Sequence, residues 1–317
     1  MKRIFLLMML LSQLSVAQIN ETSKDEFVSR FARLHGWTTE EVNDLLSRAV
    51  YQPKIIEKME RPAEGMPWYR YRRIFMKEER YEAGRAFYNT YKEVLESVSD
   101  ATGVSVNAMM GILGVETYYG TRKGSYKVLD ALYTLAFGYP KRARFFTREL
   151  EEFLLLTREE QLDVDEVEGS YAGAIGYCQF MPSSYRAYAK SYDKGGTRDL
   201  VNSPEDAIAS VANYLKVHRW KKGEKVASSI IASPDAASPG STRVRPKNPL
   251  SQYEDLGFMP TEDLDPTTLV AFLEFEQESG KEFWYGLHNF YVITRYNHSP
   301  LYALAVYQLG EEVMKGM

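Results

Sequence analysis

The sequence predicts a mainly α-helical protein with an N-terminal helical region and a small β-containing insertion. Three observations lead there. Apolar residues recur at helical spacing from Lys24 to about Lys222, and two later helix starts are spelled out as Ser203-Pro204 and Ser299-Pro300. Between Lys225 and Gly286 the texture changes to stretches rich in Ser, Pro and Gly around short apolar runs.

Taken in order, "SKDEFVSRFARLHGW" and "TTEEVNDLLSRAV" read as two short amphipathic helices, capped at Ser23 and at Thr38 or Thr39. A proline-containing connection from Arg61 to Pro67 precedes a long helix over roughly Glu79 to Ser99, and another helix starts near Ser105. In "NSPEDAIASVANYL", Ser203 is the cap, Pro204 the first helical residue and Asp206 the partner in a capping-box-like pattern. "NHSPLYALAVYQL" repeats that start, within a helical return from Asn289 to Val313. "TTLVAFLEFEQESGKEFWYGL" reads as two strands around the turn Glu278-Ser279-Gly280. The basic run Arg70 to Arg73 makes a local cationic patch.

Composition narrows the function classes. Hydrophobic content of 44% is ordinary, but 13% aromatic with 23 tyrosines is high, and tyrosine suits stacking on sugars as well as core packing. Net charge is −4 with both signs interspersed and no basic stripe, so no nucleic acid partner is expected. Lys2 and Arg3, the apolar segment Ile4 to Leu11 and the small residues Ser15-Val16-Ala17 have the layout of an export signal, with cleavage expected after Ala17. The run falls far short of the roughly 20 residues of a membrane span, so no transmembrane segment is expected after cleavage. The cleavage site lacks the cysteine of a lipoprotein. Cys178, the only cysteine, rules out an intramolecular disulfide framework. The four histidines form no HExxH or similar metal spacing, which argues against a zinc amidase or peptidase.

Two stretches carry chemistry. In "MMGILGVETYYG", Met109, Leu113 and Glu116 fall at i, i+4 and i+7, which places one acid on the buried stripe of a helix that Gly120 is expected to end. Desolvation there would raise its pKa and make it a proton donor. The other reading is a buried glutamate paired with Arg122 or Arg142. Gly111 and Gly114 weaken the helix, which makes sense if another segment packs closely on them. In "GSYAGAIGYCQFMPSSY", three glycines within eight residues and Gln179 suggest backbone held against something flat and polar, or else a tight structural loop.

Together with "LDALYTLAFGYPKRARFF", "DAIASVANYL" and "YNHSPLYALAVYQLG", these blocks resemble the membrane-bound lytic murein transglycosylase B family, glycoside hydrolase family 103, from about Trp68 to Val313. The resemblance implies a lysozyme-like helical core acting on peptidoglycan. It suggests a division into a signal (1–17), an N-terminal helical region (18–67), a catalytic core (68–224), a β-containing insertion (225–286) and C-terminal helices that complete the core (287–317). It makes Glu116 the single catalytic acid. It assigns Ser170 and Gln179 to sugar contacts, and Tyr71, Tyr214, Tyr296, Asn297 and Tyr302 to the lining of the glycan cleft. Lys141 and Arg142 take the place of a basic pair near the peptide-bearing part of the substrate, where Lys141 is commonly arginine; lysine keeps the charge but loses bidentate geometry.

Two departures stand out. The family's EF-hand-like calcium loop reads here "SYDKGGTRDLVNSPED", with Asp193, Asp199 and Asp206 too few at the right spacing, so neither a tight calcium site nor a cofactor is expected. Cys178 replaces a usual glycine and is expected to narrow the cleft beside Gln179. With one acid in place of two, the resemblance implies a substrate-assisted lyase route ending in 1,6-anhydromuramyl products. A hydrolytic muramidase, with Asp130 or Glu168 as second acid, is the rival within the class. A catalytically silent peptidoglycan-binding envelope protein, a scaffold for other cell-wall enzymes, is the rival outside it.

Overall fold

The computed structural model describes residues 19–60, 65–193 and 195–317; the segment read as an export signal lies outside them. Among these residues, α1 (Glu21–His35), α2 (Thr39–Ser47), α3 (Pro53–Met59) and α4 (Trp68–Phe75) precede a long α5 (Glu78–Thr102). Next come α6 (Val106–Thr117), α7 (Val128–Gly138), α8 (Ala143–Glu159), α9 (Pro182–Tyr188) and α10 (Pro204–Val217). A two-stranded antiparallel ribbon pairs β1 (Tyr126–Lys127) with β2 (Glu168–Gly169). Two helices, α12 (His288–Tyr296) and α13 (Pro300–Met314), close the chain, after the four-residue α11 (Ser251–Glu254) within the sheet region.

The expected caps at Thr38, Ser105, Ser203 and Ser299 all accept a first-turn N–H, and Thr38 forms a full capping box with Glu41. Two expectations are corrected. Asn20, not Ser23, caps α1, because its carboxamide reaches Ser23 N at 3.0 Å and the helix begins one turn earlier. The short α3, which sequence reading did not name, has Pro53 in its first turn. Helix α6 ends at Thr117 and not at Gly120: Tyr118 and Tyr119 take left-handed φ of 53° and 57°, and Tyr118 N bonds back to Gly114 O.

Helix α6 is buried on nearly every face, because α13 packs along it at close range. A Cβ on Gly111 would stand 2.1 Å from Val306 O, and one on Gly310 would stand 2.2 Å from Asn107 O. The two glycines face each other's helices, so the backbones touch where side chains would hold them apart. This is the close approach that the weak helix formers in α6 suggested.

Residues 227–286 build an antiparallel sheet in the order β4-β6-β7-β3-β5, from β3 (Ala227–Ala232), β4 (Asn248–Pro249), β5 (Phe258–Pro260), β6 (Leu269–Glu276) and β7 (Lys281–Gly286). The predicted hairpin is β6–β7, in register from Glu276↔Lys281 to Ala271↔Gly286. Phe258, Phe272, Tyr253 and Tyr285 form its own apolar cluster. The sheet meets the helices at Trp68, whose indole N–H donates to Glu282 at 2.7 Å while its ring lies 5.3 Å from that of Phe275. That contact fixes α4, the helix carrying Tyr71.

Gly310→Ala should therefore destabilise the protein by roughly 1–3 kcal/mol, the usual cost of overpacking. An exposed helical site such as Glu311→Ala should change stability little. Urea unfolding followed by circular dichroism checks both.

Candidate active site

Glu116 lies in the last turn of α6, half-buried, with Tyr302 opposite in the first turn of α13. The Ser299 cap and Pro300 set where α13 starts, and so where Tyr302 points. Tyr302 donates its phenolic O–H to Glu116 Oε1 at 2.6 Å. Burial pushes the Glu116 pKa up to about 7, and the Tyr302 hydrogen bond opposes that rise by favouring the charged form. Neither arginine considered as a partner pairs with it. Arg122 lies over the Tyr118 ring at 5.2 Å, and Arg142 over the Phe145 ring at 4.2 Å.

An aromatic wall continues from Tyr302. Tyr296 stacks on it with ring centroids 6.4 Å apart and planes 13° from parallel, and Tyr214 follows 4.8 Å from Tyr296. Tyr296 donates to Cys178 O at 2.6 Å, and Tyr214 donates to Arg295 O. Burial drives the Tyr296 and Tyr302 hydroxyls well above the usual phenol pKa, and the nearby Glu116 charge adds to it, so both remain protonated donors. Tyr71 packs on Trp68 and Phe75 and lies near enough to Tyr302 to act on it electrostatically. Asn297 is extended, and its Oδ1 accepts from Ser299 N at 3.1 Å.

The glycine-rich segment forms the adjoining loop. Ser170 Oγ accepts from Ala172 N and Ala174 N at 3.3 and 3.1 Å, which curls the backbone around it. Gln179, at a left-handed φ of 49°, donates through Nε2 to Lys123 O and Gly176 O at 3.0 and 2.9 Å. Its side-chain nitrogen is thus spent on the loop, and its carbonyl oxygen is left available. Both readings of this segment hold in part: it is a tight loop, and it presents polar groups. Thr117, which sequence reasoning passed over, fastens the loop to the acid-bearing helix by donating to Tyr177 O at 3.1 Å and accepting from Gly120 N at 3.0 Å.

Cys178 does not narrow the cleft. Its side chain is fully buried and points to Ala207 O on α10 at 3.4 Å, because the left-handed turn at Gln179 sends the preceding side chain inward. Burial pushes its thiol pKa well up, which keeps it unreactive.

Other candidates stand apart from Glu116. Lys141 pairs with Glu60 at 2.8 Å, on a short 3-10 turn between α7 and α8, and its neighbour Arg142 rests on Phe145 and Phe146. Asp130 is buried and accepts from Val50 N at 2.8 Å and Gln52 Nε2 at 3.4 Å, which anchors the segment between α2 and α3. It lies in the first turn of α7 and holds a neighbouring segment instead of capping the helix. Glu168 is exposed on the β1–β2 ribbon. A cavity of about 910 Å³ between the end of α10, α12 and the sheet does not include Glu116.

In the loop from Ser191 to Asp206, two of the three aspartates are held by backbone amides. Asp206 accepts from Tyr192 N and Asp199 N, both at 2.8 Å, while Asp199 accepts from Val201 N and Asn202 N. Each of these two carboxylates thus braces the loop's own backbone.

Two measurements follow. Glu116 in the folded protein holds a proton that an unfolded glutamate releases between pH 4.5 and about 7, so its burial costs stability increasingly as pH rises through that window. Glu116→Gln should accordingly be more stable than the parent above pH 7, by up to about 3 kcal/mol, with the difference vanishing below pH 4.5. Urea titrations across pH read this directly. Millimolar calcium should leave the Tm unchanged in scanning fluorimetry, since only a ligand of the native state raises it.

The Transglycosylase SLT domain family matches residues 20–311. The chain is 39% identical over 305 residues, 93% of its length and 83% of the relative's, to membrane-bound lytic murein transglycosylase B of Escherichia coli K12. Among solved structures, soluble lytic transglycosylase SltB1 of Pseudomonas aeruginosa superposes with a TM-score of 0.86 at 43% identity, covering 92% of this chain and 98% of that one. The Escherichia coli lytic transglycosylase Slt35 in complex with bulgecin A gives 0.85 at 39% identity, covering 95% and 97%. The mainly helical, lysozyme-like fold with its small sheet is thus shared across nearly the whole chain. With family match, relatives and fold in agreement, the chain belongs to the lytic murein transglycosylases of the Transglycosylase SLT domain family.

Proposed function

We infer that this chain is an exported, periplasmic enzyme that cuts peptidoglycan glycan strands between N-acetylmuramic acid and N-acetylglucosamine, with Glu116 as its single acid and base. The observation that carries this is the state of Glu116: a desolvated carboxyl with a pKa near 7, bonded to Tyr302 and subject to no second carboxylate among the described residues. A group so poised is half protonated at neutral pH and can both give and take a proton. The relatives, named lytic transglycosylases, support the substrate class.

In this reading Glu116 protonates the bridging oxygen as the glycosidic bond breaks, and the substrate's acetamido group stabilises the anomeric carbon. Glu116, now a carboxylate, takes the proton of the muramyl C6 hydroxyl as that oxygen closes onto C1. The product is a 1,6-anhydro sugar, and no water is consumed. Tyr302 holds the carboxyl in place and supports its charged form in the middle of the cycle. The hydroxyls of Ser170 and Tyr71, the Gln179 carbonyl and the Asn297 amide orient the sugars, while the rings of Tyr296 and Tyr214 form the wall. Lys141 and Arg142 face the peptide-bearing part of the strand.

The test is mass spectrometry of muropeptides released from purified sacculi, with borohydride to mark reducing ends. Muramyl termini one water lighter than hydrolytic products and resistant to reduction are expected, because a tethered nucleophile reaches effective molarities of about 10⁵ M or more. Predominantly reducible termini would replace the lyase with a hydrolase. Glu116→Gln should lose turnover by roughly 10²–10⁴-fold or more while remaining folded; parental turnover in that variant would remove Glu116 from the chemistry.

A further inference from the structure

In the cationic run Arg70 to Arg73, Tyr71 belongs to the proposed glycan cleft, while Arg70 and Arg73 line a separate cavity. Arg70, Arg73 and Lys77 share one face at the end of α4 and just beyond it. With Arg80 from the first turn of α5 and Arg122 from the segment after α6, they line a cavity of about 530 Å³, in which Glu79 is the lone carboxylate among the lining residues. Of the five cations, Arg73 pairs with a carboxylate, Glu278, at 2.7 Å. Arg70 donates to the Tyr69 hydroxyl instead, and Lys77, Arg80 and Arg122 form no ion pair among the described residues.

Arg80 is the most informative of these groups. Its side chain is only 7% exposed, yet no carboxylate neutralises it. The guanidinium donates to Gly114 O and, at 3.5 Å, to Ile74 O, and it lies 4.6 Å over the Tyr118 ring. Arg122 sits over the same ring at 5.2 Å. The consecutive left-handed residues Tyr118 and Tyr119 place that ring there. Carbonyl capping of α6 explains why Arg80 is tolerated. It does not explain why the exposed Arg70, Lys77 and Arg122 line the same cavity, where the Arg122 charge acts against that of Arg80. An anion from outside the chain would balance such a set.

We propose that this cavity is a binding site for a phosphoryl group carried on a larger molecule, held by Arg70, Lys77, Arg80 and Arg122. Phosphoryl fits better than a single carboxylate, because guanidinium forks and an ammonium converge from three chain segments, and a dianion with three oxygens can engage all of them. The space exceeds what a lone ion fills, which leaves room for the bearer of the group. Through Arg80 and Gly114 O the site touches the helix that carries Glu116, two residues before the acid.

The test uses the full chain at constant ionic strength. Inorganic pyrophosphate is titrated by calorimetry, and co-sedimentation is measured with phosphatidylglycerol vesicles against phosphatidylcholine vesicles. Saturable pyrophosphate binding is expected, weakened about tenfold or more by Arg70→Gln and again by Arg122→Gln, both exposed positions that leave folding intact. Lys92→Gln, a surface change elsewhere on α5, should leave affinity unchanged. Vesicle binding that depends on the same arginines assigns the phosphoryl group to a lipid headgroup; pyrophosphate binding without vesicle binding assigns it to a soluble or glycan-borne ligand. The absence of saturable binding in both arms, or binding indifferent to both arginine substitutions, overturns the site. The site stands independently of the glycan reading: Glu116→Gln should bind pyrophosphate like the parent, so the two can fail separately.

Discussion

Everything at the acid depends on how closely α6 and α13 approach. Gly111 faces Val306 O and Gly310 faces Asn107 O, so the separation of the two helices is set by backbone and not by interdigitating side chains. At that separation a tyrosine at the start of one helix reaches a glutamate at the end of the other. A Cβ at either glycine would push the helices apart, and the phenol would no longer bridge to the carboxyl. The loss of helix propensity at the glycines, about 1 kcal/mol each, is the cost of that geometry.

The site is polar yet nearly free of ion pairs. Tyr296 and Tyr214 spend their hydroxyls on main-chain carbonyls, Gln179 spends its nitrogen on two more, and Glu116 receives a phenol where a guanidinium might have been expected. The reason is chemical. An arginine beside Glu116 would hold it ionised at neutral pH, where the proposed role requires its proton. Burial with a neutral donor raises the pKa while keeping the charged form supported.

Much of this was legible in the sequence because it is local. Ser-Pro caps at Ser203 and Ser299, a cap at Thr38 or Thr39 and the hairpin around Ser279 are written within a few residues, and each formed, although Asp206 turns its carboxylate to Tyr192 N and Asp199 N instead of closing a capping box with Ser203. Glu116 stood out because a single acid among apolar residues has few uses. The errors arose where a distant segment decides the outcome. Nothing near Cys178 says that α10 will take its thiol inward, and nothing near Asp130 says that Val50 will bind it. Gly120 looked like a helix stop, but two tyrosines accepted left-handed backbone before it, since the turn buries Tyr119 against Gly84 and Gly114. Arg80 was invisible for the same reason: its partner carbonyl lies 34 residues away.

The bond between Tyr302 and Glu116 joins residues 186 positions apart. By contrast, Asp206 closes its loop over 7 and 14 residues. Short closures sacrifice less chain entropy and tend to form early, while contacts of long sequence separation come late. A chain still on its way to the native state therefore carries an ordinary solvated glutamate at position 116, ionised and unable to act as an acid. Only when α13, near the end of the chain, has docked does the carboxyl lose its water and acquire its chemistry. On the proposed role of Glu116, completion of folding is what supplies the enzyme with its acid.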